Sequence, residues 1–154
     1  MSGLFWYADP VADLPGVDMY VPKAIKYPWA PDAYVAFPTM FFHYESGSET
    51  RKVLGPEGRL KRGDGPTECQ LAVSRDGLHW RRLPRPAYIG IGRHDGKNPK
   101  MIYSTCNLVR RGDELWHYFL GTENYHGSSS VPNARWDLYR VTQRLDGFVA
   151  AQAP

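Results

Sequence analysis

Residues 71–82 read LAVSRDGLHWRR. An apolar run meets the turn signal Ser74-Arg75-Asp76-Gly77, and the chain leaves through Leu78, His79 and Trp80. Glycine accepts a positive φ without steric cost, and aspartate bonds the backbone of its own turn. Asp-Gly between two apolar stretches therefore predicts a tight hairpin. A similar phrase, VTQRLDGFVAA at 141–151, closes the chain. Asp76 and Asp146 are read as turn residues, and their recurrence asks whether the chain is built twice.

Working outward from the turn, strands are expected at 20–25, 33–44, 69–74 and 78–83. Pro38 interrupts the second, where a missing ladder donor predicts a bulge or bend. Residues 45–68 are polar, charged and Gly-rich, and read as a long loop. The second half repeats the order. Strands are expected at 101–111, 114–125, 135–144 and 148–153, with Gly112-Asp113 and Asp146-Gly147 as turns. Tyr20 matches Tyr103 at an offset of 83 residues, and Asp76 matches Asp146 at 70, the difference falling in the longer first loop. Unequal loops joining like strands are typical of repeats. AYVAFPTMFF and LWHYFL read as continuous apolar runs, as strands buried on both faces do.

The expected fold is therefore all-β: two four-stranded antiparallel meanders, 18–85 and 99–152, preceded by an N-terminal arm at 1–17 with a strand candidate at 4–11. Tandem meanders with two apolar faces describe β-propeller blades. An eight-stranded sandwich or barrel is the alternative. The 14% aromatic content, 15 glycines and 13 prolines fit many short strands and turns. A net charge of +3, spread over loop-side clusters, is too sparse a stripe for nucleic acid. No run is long enough for a membrane helix. The N-terminus lacks a signal-peptide pattern, which gives a cytoplasmic location by default. Cys69 and Cys106 have no metal-ligand spacing; they are read as buried free thiols, with a disulfide left open. No metal or cofactor is expected.

The phrase Ser-Arg-Asp-Gly-Leu-His-Trp resembles the blade-closing turn of five-bladed propeller glycosidases of the invertase and arabinanase group. Segments 18–44, 69–92 and 100–152 are similar to longer bacterial proteins of that kind. The resemblance implies blade architecture and a carbohydrate-active, glycoside-hydrolase-like module. It is also similar to the Asp box of sialidases, but here Asp and Gly are adjacent and the spacing departs. Glu68-Cys69 resembles the acid-bearing Glu-Cys pair of invertase-like enzymes, though its surroundings differ. Such relatives carry five blades on one chain, and two blades leave open apolar faces. Closure by symmetric self-assembly is therefore expected, a homotrimer in preference to a homodimer.

Propeller glycosidases place two carboxylates at the axial cavity, about 5–9.5 Å apart. Asp18, at the entry of the first inner strand, and Glu123, in the loop mouth GTENYHG, are the candidate catalytic pair. His43 and His126 end equivalent strands and are candidate substrate ligands. Trp29, in the Pro-rich turn YPWAPD, and Tyr103 are candidate sugar-stacking residues. The alternative function is a non-catalytic glycan-binding or scaffold propeller fragment.

Overall fold

A computed structural model describes residues 9, 11–13, 17–43, 65–82, 87–126 and 132–148. The described residues form ten strands and no helix. These are β1 (Asp18–Val21), β2 (Ala24–Lys26), β3 (Tyr34–Ala36), β4 (Thr39–Phe41), β5 (Thr67–Cys69), β6 (Ala72–Ser74), β7 (Trp80–Arg82), β8 (Met101–Arg111), β9 (Glu114–Thr122) and β10 (Asp137–Arg144). They make a six-stranded sheet in the order β1-β4-β5-β8-β9-β10 and a four-stranded sheet in the order β2-β3-β6-β7. All pairings are antiparallel except β5 with β8.

The first seven strands are one meander folded along a crease. Each of its first three long strands passes from the larger sheet into the smaller one: β1 into β2, β4 back into β3, β5 into β6. The breaks stand side by side. Phe37 N donates to Lys23 O at 3.1 Å, and Gln70 N donates to Pro38 O at 2.9 Å. Pro38 has no N–H for a ladder, so the bend falls where the sequence predicts it. The crease also requires Lys23 at φ 46°, an uncommon backbone for a side chain with Cβ. Its ammonium donates to Ser104 O, tying the crease to the second unit.

The hairpin of 71–82 forms as expected, with Ser74 opposite Trp80. Its turn ties Ser74, Asp76, His79 and Trp80 together. Asp76 Oδ1 accepts from Leu78 N (2.8 Å), His79 N (2.7 Å) and Ser74 Oγ (3.0 Å). Asp76 Oδ2 meets His79 Nδ1 at 2.7 Å, and Trp80 Nε1 donates to Gly77 O at 3.1 Å. These donors, the His79 ring first, hold the Asp76 carboxyl well below the usual range. Gly77 sits at φ 75° over the Tyr34 ring, so the glycine is required by backbone and by space. Arg75 pairs with Asp32 at 2.9 Å, within the first unit.

In the second unit, β8 and β9 close through the two-residue turn Gly112-Asp113, with Gly112 at φ 63°. Asp146-Gly147 is not a copy of Asp76-Gly77. Gly147 N donates to Arg144 O at 2.9 Å without a positive φ, and Phe148 goes on to pack in the core. The expected strand at 148–153 lies, past Phe148, outside the described residues, as do most of the N-terminal strand candidate and nearly all of the long loop.

The units meet in two ways. Val35, Phe37 and Cys69 of the first pack with Ile102 and Phe119 of the second and with Ile89 between them. At the seam, Thr67 N donates to Lys100 O at 3.1 Å, while Thr67 Oγ1 accepts from Ile102 N (2.9 Å) and donates to Ile102 O (3.0 Å). One hydroxyl thus stands in for further rungs of a parallel ladder. A buried polar chain of Asp13, Arg82 and Gln70 clasps the arm residue Asp13 to the outer strand β7.

Candidate functional site

The edge strand β1 presents Asp18 and Tyr20 beside the end of β4. His43 Nε2 lies 2.8 Å from Asp18 Oδ2; the imidazole is 7% exposed and the carboxylate 59%. Phe41 lies between two imidazoles, its ring 4.0 Å from that of His43 and 4.5 Å from that of His126. His126 reaches this place because it bridges Gly65, its N donating to Gly65 O at 2.9 Å. Tyr20 touches the rings of Phe41, Tyr103 and His126, at 6.4, 6.1 and 4.9 Å. Trp136 extends the surface, 5.6 Å from Tyr103.

Four of the six sequence-derived site residues, Asp18, His43, Tyr103 and His126, thus gather around Tyr20. The convergence follows from strand pairing: β1 lies against β4, which leads to His43, and the chain returns at His126 to bridge Gly65. Tyr20 and Trp136 are 51% and 49% exposed, so both present a reachable apolar face. Tyr103 is half-buried; burial, then the neighbouring Tyr20, pushes its hydroxyl up to about 12, and it stays protonated. Lys23 lies over the Tyr103 ring at 5.5 Å, and burial lowers its ammonium's pKa.

The other two residues lie in different contact sets. Glu123 Oε1 accepts from Asn98 N at 3.4 Å, and its charge is felt by Lys97 and Tyr139. Trp29 is half-buried on the β2–β3 turn, edge-on to Tyr27 at 5.2 Å. Glu68 is buried on β5 beside Gln70, facing the polar chain of Arg82. Cys69 and Cys106 are free thiols, the first wholly buried and pushed up to about 12 by desolvation, the second half-buried. Among the described residues, no three metal-ligating side chains are grouped, and no helix is long and apolar enough to cross a membrane.

Sequence reasoning passed over Tyr20 and Trp136 as site members. Tyr20 was visible as a landmark, but its central position depends on the chain returning at His126. Trp136 carried no signal beyond its residue type. The arrangement offers apolar ring faces beside one carboxylate, two imidazoles and a phenol. It can stack on a flat apolar surface and hydrogen-bond hydroxyls around its edge.

No protein-family model, curated protein or solved structure matches this chain.

Proposed function

We propose that this chain is a carbohydrate-binding module of propeller-blade type, related to the propeller glycosidases, with its sugar site at the Tyr20 cluster. The observation that carries the reading is the convergence of Asp18, His43, Tyr103 and His126, from four separate segments, on a half-exposed ring. Pyranose C–H faces stack on such rings, and the flanking polar groups bond hydroxyls. Hydrolysis is the second reading, favoured by the exposed Asp18 carboxylate held by a buried imidazole. It requires a second carboxylate in the same site, and Glu123 has its contacts elsewhere.

The blade reading also gives the outward face of β8, β9 and β10 a role. Leu120 and Leu138 stand opposite each other on β9 and β10 and are 42% and 66% exposed. This face packs against a further blade, supplied by copies of the chain, three in preference to two.

A glycan array with a panel of aryl glycosides tests the function. Retention of particular glycans without turnover is the expected result, with Tyr20→Ala weakening binding by up to about tenfold, the size of one aromatic contact. Turnover abolished by Asp18→Asn establishes hydrolysis instead. Neither retention nor turnover at millimolar ligand removes the carbohydrate reading.

A further inference from the structure

We propose that the cleft between the two units is a second binding site, for a small organic acid with a ring-sized apolar body and one anionic group. The cleft has a volume of about 710 Å³. That lies within the roughly 300–1,000 Å³ of small-molecule pockets. It is separate from the Tyr20 cluster and does not depend on the carbohydrate reading.

Its floor follows from strand register. Ile25, Val35, Val73 and Arg81 stand opposite one another in one row across β2, β3, β6 and β7, so they share a face. Val35 and Val73 supply apolar floor, and Arg81 ends the row at the cleft edge. The far wall comes from the second unit. Leu145 and Phe148 are held there by Tyr27, whose hydroxyl donates to Leu145 O at 2.6 Å and whose ring meets Phe148 edge-on at 5.7 Å. The two Asp-Gly phrases therefore converge on one cavity, from opposite sides.

The rim decides the charge of the ligand. The charges that line the cleft are otherwise engaged: Arg75 with Asp32 outside it, Asp146 with Arg144, and Asp76 with four donors of its own turn. Arg81 has no ion-pair partner among the described residues. An apolar cavity with one uncommitted guanidinium at its edge is complementary to an amphipathic monoanion, whose carboxylate or sulfonate takes a charge-assisted pair of hydrogen bonds.

The test uses two fluorescent probes of similar shape, anionic 8-anilinonaphthalene-1-sulfonate and uncharged N-phenyl-1-naphthylamine. Saturable binding of one sulfonate probe per chain is expected. Arg81→Gln should weaken the anionic probe by about tenfold, the scale of a hydrogen bond to a charged group, and leave the neutral probe unchanged. Val73→Trp should fill the floor and weaken both; Ala30→Phe fills the cleft from its loop side if Val73→Trp fails to fold. Leu138→Lys, on the outward face of β10, should alter neither. The proposal is overturned by non-saturable binding, by equal loss of both probes in Arg81→Gln, by indifference to the filling variants, or by loss of binding in Leu138→Lys.

Discussion

Residues 35–42 of the first unit are buried without a break, whereas β10 of the second alternates between half-buried and exposed along its whole length. Both units have strands joined by Asp- and Gly-containing turns, and both were expected to be four-stranded antiparallel meanders of blade type. The first differs because Pro38 and the Pro22-Lys23 corner crease it, folding its strands around Phe37. The second has no proline in its strands: β8, with 11 residues, and β9, with 9, run long through one register irregularity between Ser104 and Leu108 and keep one face open. Proline placement, more than hydrophobic content, separates a strand pair that wraps a core from one that offers a face.

The contrast can be broken most severely at its centre. Phe37 packs 4.3 Å from His117 and 5.4 Å from Tyr88. Phe37→Ala should cost about 4 kcal/mol by denaturant unfolding, as large cavities do. Next comes the clasp of the first unit: Asp13→Ala leaves the buried Arg82 guanidinium without its carboxylate and should cost about 3 kcal/mol. An arm that merely drapes over the sheet would show almost no change.

The two hairpin turns sharpen the comparison. Gly77→Ala should cost about 2 kcal/mol and Gly112→Ala about 1 kcal/mol, since both occupy positive φ. The difference arises because a Cβ at 77 meets Tyr34 Cε1 at 3.3 Å, and one at 112 meets open space. Equal losses would mean that the Tyr34 contact is immaterial.

Acid sensitivity should trace partly to the second unit. Burial lowers the pKa of His117, whose Nε2 donates to Thr105 O at 2.8 Å while Nδ1 has no partner among the described residues. The unfolded chain therefore takes up a proton that the folded one refuses, and stability falls as pH drops below about 6.5. Thermal midpoints between pH 7.5 and 5.5 should fall less in His117→Leu than in the wild type. The smallest effect belongs to the open face: Leu138→Lys should change the stability of the isolated chain by no more than about 0.5 kcal/mol. A larger loss would mean that the face is already covered.

Much of the local structure was legible because it rests on residues acting within a few positions. Asp76-Gly77 and Gly112-Asp113 announce hairpins, and Pro38 announces a break. That the described residues form no helix fits the aromatic, turn-rich composition. The parallel join of β5 to β8 was not legible, since it involves one pair of residues 34 positions apart, Thr67 and Met101. Asp146-Gly147 makes a turn as expected, but one of a different kind from Asp76-Gly77, because no Ser stands two residues before the Asp, as Ser74 does before Asp76. Of the site, the recurrence of Tyr and His at matched places pointed to Tyr103, His43 and His126. Carboxylate type alone could not say that Asp18 and Glu123 would keep different company.

The Thr67 seam bears on how such a chain could arise. A ladder of many rungs ties two segments to a shared register, and both must then change together. Here the β5–β8 ladder has a single paired position, where Thr67 N meets Lys100 O and the Thr67 hydroxyl meets the carbonyl and amide of Ile102, groups that any residue at 102 except proline would supply. A chain joined this way can change sequence on either side of the seam without breaking a shared register, and Thr67→Val is the change that asks how much of the join the hydroxyl holds.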